Sequence, residues 1–349
     1  MFNGIEDGTL VALVGLGGGI LLGLAARLGR FCTLGAIEDL LYQGSDLRMR
    51  MWGIAIAVGI IGSFGLIGSG LLPAEKALYL RLGWHPVGSI LGGLMFGYGM
   101  ALAGNCGFGA LARLGGGDLR SFVIVVVMGL AAYVTLSGPL ATLRVWLFPV
   151  AESDTASGFA HLLGGMAGLS PVIVGLAVGA FLLAASLASR ALWAKPQAII
   201  WAALVGVAVI SGWAGTAWVA EAGFDAVPVV SHSFSAPIGE TMLYAMTSSG
   251  NTLSFGVGSV MGVLSGAFIG SLIKGHFRWE ACEDPRELKR QILGAAIMGV
   301  GAILAIGCTV GQGISAFSLL AYSAPVTFLA IFLGAAFGLR QLIEGFAAA

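Results

Sequence analysis

Three cysteines stand at matching places along this chain, and a sulfur chemistry is the first thing they suggest. Cys32 opens the run Cys-Thr-Leu-Gly, Cys106 opens Cys-Gly-Phe-Gly and Cys308 opens Cys-Thr-Val-Gly. Two of them share a longer frame, Gly19-x3-Gly23-x8-Cys32-x2-Gly35 and Gly93-x3-Gly97-x8-Cys106-x2-Gly109. The third keeps most of it, as Gly299-x8-Cys308-x2-Gly311. A glycine-bearing break followed by a new helix leaves backbone N–H groups without partners at that helix start. Those donors, with the positive end of the helix dipole, favour an anion. The cysteines are expected to be neutral S–H groups, which are weak, polarisable donors. Such donors suit a sulfur-bearing anion better than a hard oxyanion such as phosphate.

Other uses of the thiols follow from the same residues. A lone buried cysteine is usually an apolar packing residue, but three at equivalent positions point to a shared task. A metal site finds no support, because His85, His161, His232 and His276 show no ligand spacing to the cysteines. A disulfide pair among the three remains open. Cys282, within the charged run Glu280–Arg290, reads as an ordinary reduced surface thiol.

The elements that must hold these residues are membrane helices. Of the 349 residues, 58% are hydrophobic and 10% charged, and the mean hydropathy is +0.96. Soluble domains carry about a quarter charged residues. The 57 glycines have no three-residue period, which suggests closely packed membrane helices rather than collagen. The zero net charge argues against a nucleic-acid partner. Stretches long enough to cross a bilayer, about 20 mainly apolar residues, lie near 8–28, 50–72, 86–104, 121–148, 159–188, 197–219, 253–273, 291–307 and 324–346. The expected fold is therefore an all-α integral membrane protein of about nine spans. Segments 30–44, 105–117, 233–249 and 308–322 are too short to cross and read as re-entrant or broken helices. Glu6 and Asp7 stand where a signal peptide would be basic, so the first span is expected to remain.

A shift of 202 positions lays the chain on itself. It pairs Cys106 with Cys308, Glu38 with Glu240, Tyr42 with Tyr244, and Ile67-Gly68-Ser69 with Ile269-Gly270-Ser271. Cys32 falls on Phe234, flanked by Ser233 and Ser235. With nine spans, the two copies lie upside down relative to each other. The expected division is 1–150 for the first half, 151–196 for a connecting span and 197–349 for the second half. Inverted repeats of this kind place a substrate site near the midplane, where broken helices meet. Of the 17 Lys and Arg residues, only Lys76, Arg81 and Arg144 fall on the N-terminal side of the membrane. The positive-inside rule then puts the N-terminus outside and the C-terminus in the cytoplasm.

Less specific residues surround the cysteines. Glu38 and Glu240 are read as helix caps or partners of Arg27 and Arg30, with proton coupling the weaker alternative. Arg30 and Arg27 either anchor the cytoplasmic end or attract substrate. Supporting positions are Thr33, Gly35, Asn105, Gly107, Gly109, Thr309, Gly311 and Gln312.

At Gly29-Arg30-Phe31-Cys32, Gly104-Asn105-Cys106-Gly107 and Gly307-Cys308-Thr309-Val310-Gly311, the chain resembles the YeeE/YedE family of membrane proteins over essentially its whole length. The resemblance implies an hourglass of nine spans with re-entrant half-helices at the waist. It also implies uptake of thiosulfate across the bacterial inner membrane, handed inward by Cys32, Cys106 and Cys308 through S–H hydrogen bonds. On this reading the chain is not an enzyme and needs no cofactor or metal. Its partners are the lipid bilayer, the sulfur anion and a cytoplasmic TusA-like sulfur carrier. Family members linked to selenium metabolism make a selenium-compound transporter one alternative; a membrane thiol enzyme that passes persulfide sulfur is another.

Overall fold

A computed structural model describes residues 6–151, 155–281 and 284–345; Cys282 lies outside them. The first part of the chain holds α1 (Asp7–Leu28), α2 (Thr33–Tyr42), α3 (Leu47–Gly68), α4 (Leu78–Arg81), α5 (Pro86–Ala103), α6 (Gly107–Gly115), α7 (Leu119–Leu136) and α8 (Ala141–Leu147). Then come α9 (Phe159–Ala167), α10 (Pro171–Leu187), α11 (Arg190–Trp193) and α12 (Pro196–Ala222). The last part holds α13 (Ala236–Thr247), α14 (Phe255–Ile273), α15 (Pro285–Leu304) and α16 (Ser323–Glu344), with a short helix at 309–318 between the last two. Among the described residues there is no strand beyond two isolated bridges. The protein is an all-α membrane protein.

Seven helices are long and apolar enough to cross a bilayer, and an eighth crossing results if the bent pair α9–α10 is one span. The sequence reading gave nine. The remaining stretch, 291–307, lies in α15, whose first turns carry Arg286, Glu287, Lys289 and Arg290 and leave too short an apolar window. The stretch 159–188, read as one continuous span, bends by 114°. Gly168 ends α9 in the left-handed conformation, and Ser170 and Pro171 then cap and open α10. Likewise 121–148 breaks after Leu136, where Ser137-Gly138-Pro139 separates α7 from α8.

Glycine sets how closely these helices approach. Along α1, Gly15, Gly19 and Gly23 face the backbone of Phe255, Ser259 and Val263 on α14, while Gly258, Gly262 and Gly266 of α14 face Ala12, Leu16 and Ile20. Any Cβ at these positions would strike main-chain atoms. In lipid, where hydrophobicity gives no extra drive, such backbone-to-backbone seams are how helices gain packing energy. Gly93 and Gly97 of α5 make the same kind of seam with α16, against Thr327 and Ile331. The glycines that precede Cys32 and Cys106 in their frames therefore serve packing, and the cysteines follow at the break.

The packing partners come in matched pairs. The 202-residue shift sends α2, α3, α5, α6 and α7 onto α13, α14, α15, 309–318 and α16. Helix α1 packs on α14 as α12 packs on α3. Helix α5 packs on α16 as α15 packs on α7, and α13 on α7 as α2 on α16. The buried centre, around Trp52, Phe64, Phe96 and Trp213, is enclosed by these pairs.

Candidate functional site

Each of the three cysteines sits at a joint between a long helix and a short one, and the joints share a backbone feature. Two residues before each sulfur the chain turns into the left-handed region: Arg30 at φ 55°, Gly104 at φ 76° and Ile306 at φ 56°. Glycine takes that conformation freely; Arg and Ile adopt it at a cost of roughly 1–2 kcal/mol each. Local hydrogen bonds hold these turns. Gly29 and Phe31 both donate their N–H to the Ala25 carbonyl, at 3.0 and 3.2 Å. Gln312, fully buried, donates through Nε2 to the carbonyls of Ala305 and Ile306 at 2.9 and 3.1 Å, and its Oε1 accepts from Ser323 Oγ at 3.0 Å. Gln312 thus closes the broken end of α15.

After each turn the cysteine is the residue immediately before the new helix. Cys106 caps α6, its Sγ accepting the Gly109 N–H at 3.3 Å. Cys308 does the same for 309–318, accepting from Gly311 N–H at 3.4 Å, and it takes a second N–H from Phe234 at 3.2 Å. Ser233 Oγ lies 3.9 Å from the same sulfur. Cys32 stands at the equivalent place before α2 but accepts no capping bond. The sulfurs therefore take up amide donors that the sequence reading left bare. Thr33 and Thr309, each following its cysteine, have buried hydroxyls with no hydrogen bond of good geometry.

Burial separates the three. Cys106 and Cys308 are buried, whereas Cys32 is partly exposed. Cys106 lies within electrostatic range of both other sulfurs and beside Thr309. Next to them Phe108 and Phe234 pack with ring centroids 5.3 Å apart. Phe234, at the fourth position of the repeat, places its ring in this contact and its N–H on Cys308.

Two cavities lie on opposite sides of this layer. One, of about 770 Å³, is lined by Cys32, Gly35, Asn105 and Gly109 together with Arg27, Arg30, Arg48, Arg113, Lys274 and Arg278; Glu38 and Glu280 are its carboxylates. The other, of about 440 Å³, has walls that are mostly apolar, among them Leu78, Leu82, Leu136, Val230 and Ile303, with Ser231, Ser233, Ser235, Ser254, Tyr79, Arg144 and Glu240 as its polar lining. Helix α14 reaches the second with its first residues and ends beside Lys274 at the first. The two ends of this 19-residue helix, about 28 Å apart, thus mark the outer reaches of the two cavities, whose near edges meet at the cysteine layer.

The basic cavity is only partly neutralised. Arg48 pairs with Asp39 at 3.2 Å, and Arg27 donates from Nε to Ser271 Oγ at 2.7 Å. Lys274 donates to the Arg27 and Leu28 carbonyls at the end of α1, at 2.7 and 3.3 Å. Partial burial first, then the Arg30 and Arg27 charges, hold the Lys274 ammonium below the ordinary lysine range. Repulsion of that kind marks a positive field that an anion would relieve. Glu38 is exposed and pairs with neither Arg27 nor Arg30 among the described residues; Asp39, its neighbour, is the carboxylate that takes an arginine.

Most residues singled out from sequence meet here, though not in one shell. Cys32, Gly35, Asn105, Gly109, Arg30 and Glu38 line the basic cavity, and Glu240 lines the other. Gly107 gives room to the Met128 side chain and the Phe234 carbonyl, and Gly311 to Ser233 and the Tyr79 hydroxyl. Tyr79 was missed. It lies in a link between spans, and the run Leu-Tyr-Leu-Arg-Leu was its one sequence signal.

The sequence pattern of the sulphur transport family matches residues 28–337, which takes in all three cysteines and every residue lining the two cavities except Ala26 and Arg27. The chain belongs to that family. Among its relatives, the thiosulfate transporter TsuA of Spirochaeta thermophila is 25% identical over 326 residues, 90% of this chain and 94% of that protein. TsuA of Escherichia coli K12 is 26% identical over 336 residues, 92% of each chain. The probable transporter YedE of E. coli K12 is 31% identical over 104 residues, 30% of this chain and 23% of that one. The family and these relatives are transporters, so the chain is a transport protein and not an enzyme.

Proposed function

We propose that this chain takes up thiosulfate, or a sulfur anion of like charge and softness, across a bacterial inner membrane. The anion leaves the hydroxyl-lined cavity, passes Cys308, Cys106 and Cys32 in turn, and enters the basic cavity. The observation that supports this most is the graded placement of the sulfurs. Cys308 touches the wall of one cavity through Ser233, Cys32 lines the other, and Cys106 is near both. Among the described residues, a dianion crossing this layer finds no buried ammonium or guanidinium to hold it. It finds S–H groups, the unpaired hydroxyl of Thr33 and the hydroxyl of Thr309 beside Cys106. Neutral, soft donors let such an ion bind and leave, which passage requires.

The matched packing pairs and the 202-residue shift support two inverted halves, 1–150 and 197–349, joined through 151–196. The excess of Arg and Lys around the basic cavity supports placing it in the cytoplasm, with the N-terminus outside. A cytoplasmic TusA-like carrier that accepts the sulfur would then meet the chain at this cavity.

The deciding measurement is uptake of labelled thiosulfate by cells stripped of their own thiosulfate and sulfate transporters. Expression of this chain is expected to restore uptake and growth on thiosulfate as sulfur source. Restored growth on selenium compounds or sulfate, with none on thiosulfate, would overturn the assignment. A stable mass increase on the purified protein after exposure to thiosulfate would point to covalent persulfide transfer instead.

A further inference from the structure

Helix α8 carries its residues the wrong way round for an ordinary surface helix. Leu143, Val145, Trp146 and Leu147 are exposed, and the charged residue between them, Arg144, is the one drawn inward. Arg144 lines the hydroxyl-bearing cavity. Its Nη2 donates to the Leu136 carbonyl at 3.4 Å, while its Nε is fully buried without a hydrogen-bond partner. Leaving a guanidinium N–H unpaired in such a place is costly.

The terminal nitrogens of the guanidinium are not sealed in this way, and the walls around them suit an anion. The first residues of two helices open on the same cavity: Ser235 and Ala236 at the start of α13, and Ser254 and Phe255 at the start of α14. Both present the positive end of a helix dipole. Among the described lining residues Arg144 is the one cation and Glu240 the one carboxylate, and no ion pair joins them.

We infer that Arg144 is the capture residue of this cavity, holding the incoming sulfur oxyanion through Nη1 and Nη2 of its guanidinium against the two helix starts before the ion reaches Cys308. The thiols then act on the sulfur end, and the guanidinium on the oxygens, which it can bind in a fork. Glu240, on the same wall, weakens this hold and so favours onward movement.

The inference rests on the uptake reading, and the test separates the two. Uptake of labelled thiosulfate is measured against concentration for the wild type, Arg144→Gln, Arg144→Lys and Glu240→Gln, alongside equilibrium binding of labelled thiosulfate to the purified proteins. Melting in detergent checks that each variant folds. Arg144→Gln is expected to raise the half-saturating concentration at least tenfold with the maximal rate within twofold. Arg144→Lys is expected to raise it about threefold, and Glu240→Gln to lower it. An unchanged half-saturating concentration in folded Arg144→Gln, or a fall in maximal rate alone, overturns the role of Arg144 while uptake by the wild type stands. If the wild type binds thiosulfate without transporting it, the uptake reading fails and the binding constants of the same variants still decide on Arg144. If it neither binds nor transports it, both fall.

Discussion

The two cavities are built by corresponding parts of the repeat yet are lined by different chemistry. On one side stand six cations around Cys32, with Glu38 and Glu280 as counter-charges. On the other, four serines, Tyr79 and two helix starts surround a single arginine and Glu240. Glu38 and Glu240 match across the 202-residue shift and come to lie in opposite cavities. A repeat makes a waist with equal access from both ends. On the proposed reading the lining, and not the fold, supplies a direction: a weak positive field where the anion enters and a strong one where it arrives.

The largest effect is expected at the layer both cavities share. Cys106→Ala and Cys308→Ala should each lower thiosulfate uptake about a hundredfold, as expected for the loss of a hydrogen-bonding partner to a buried ion, with insertion intact and stability lowered by only about 1 kcal/mol for the lost cap. Serine at either position should keep the helix cap and recover part of the rate; full activity of both alanine variants would break the symmetry argument. The accessible sulfur sharpens the contrast. In a Cys282→Ser background, a water-soluble maleimide should modify Cys32 at least about tenfold faster than the two buried cysteines, because burial keeps thiols inert, and equal rates would show that the layer is open. Next comes the basic cavity. Arg30→Gln combined with Arg113→Gln should reduce uptake by roughly tenfold and flatten its dependence on ionic strength, since screening acts on exposed charges. A variant with unchanged salt dependence would mean that the field there is idle. The smallest effect isolates the backbone. Arg30→Gly should melt higher than Arg30→Ala by about 1 kcal/mol, because only glycine takes positive φ freely, while both lose the charge alike.

How far this was legible in the sequence depends on what each residue signals. The cysteine frames were plain because the chain has only four cysteines, and three of them recur with glycines at fixed spacing. Their meaning was half visible. Gly104 advertises a left-handed turn, but arginine and isoleucine do not, so the common geometry at Arg30 and Ile306 had no local sign. The bend after α9 did have one, Gly168-Leu-Ser-Pro, but it was passed over because an unbroken apolar run reads as a span. α15 was anticipated as a span from its apolar end alone, and its charged opening shows why hydropathy misjudges a helix that starts in water. The cavities could not be read at all. Ser233, Arg144 and Tyr79 are far apart in sequence and meet only through the packing of α7, α13 and α15.

The glycine seams have a mechanical consequence. Where α1 meets α14 and α5 meets α16, main chain rests on main chain, and there is no layer of side chains along which one helix could slide past the other. Rocking one half against the other would force carbonyls through Cα positions. The outer frame is thus stiff, and whatever opens for a passing ion must be small: a rotation of Phe108 or Phe234, or a hydroxyl or sulfhydryl hydrogen turning about its bond.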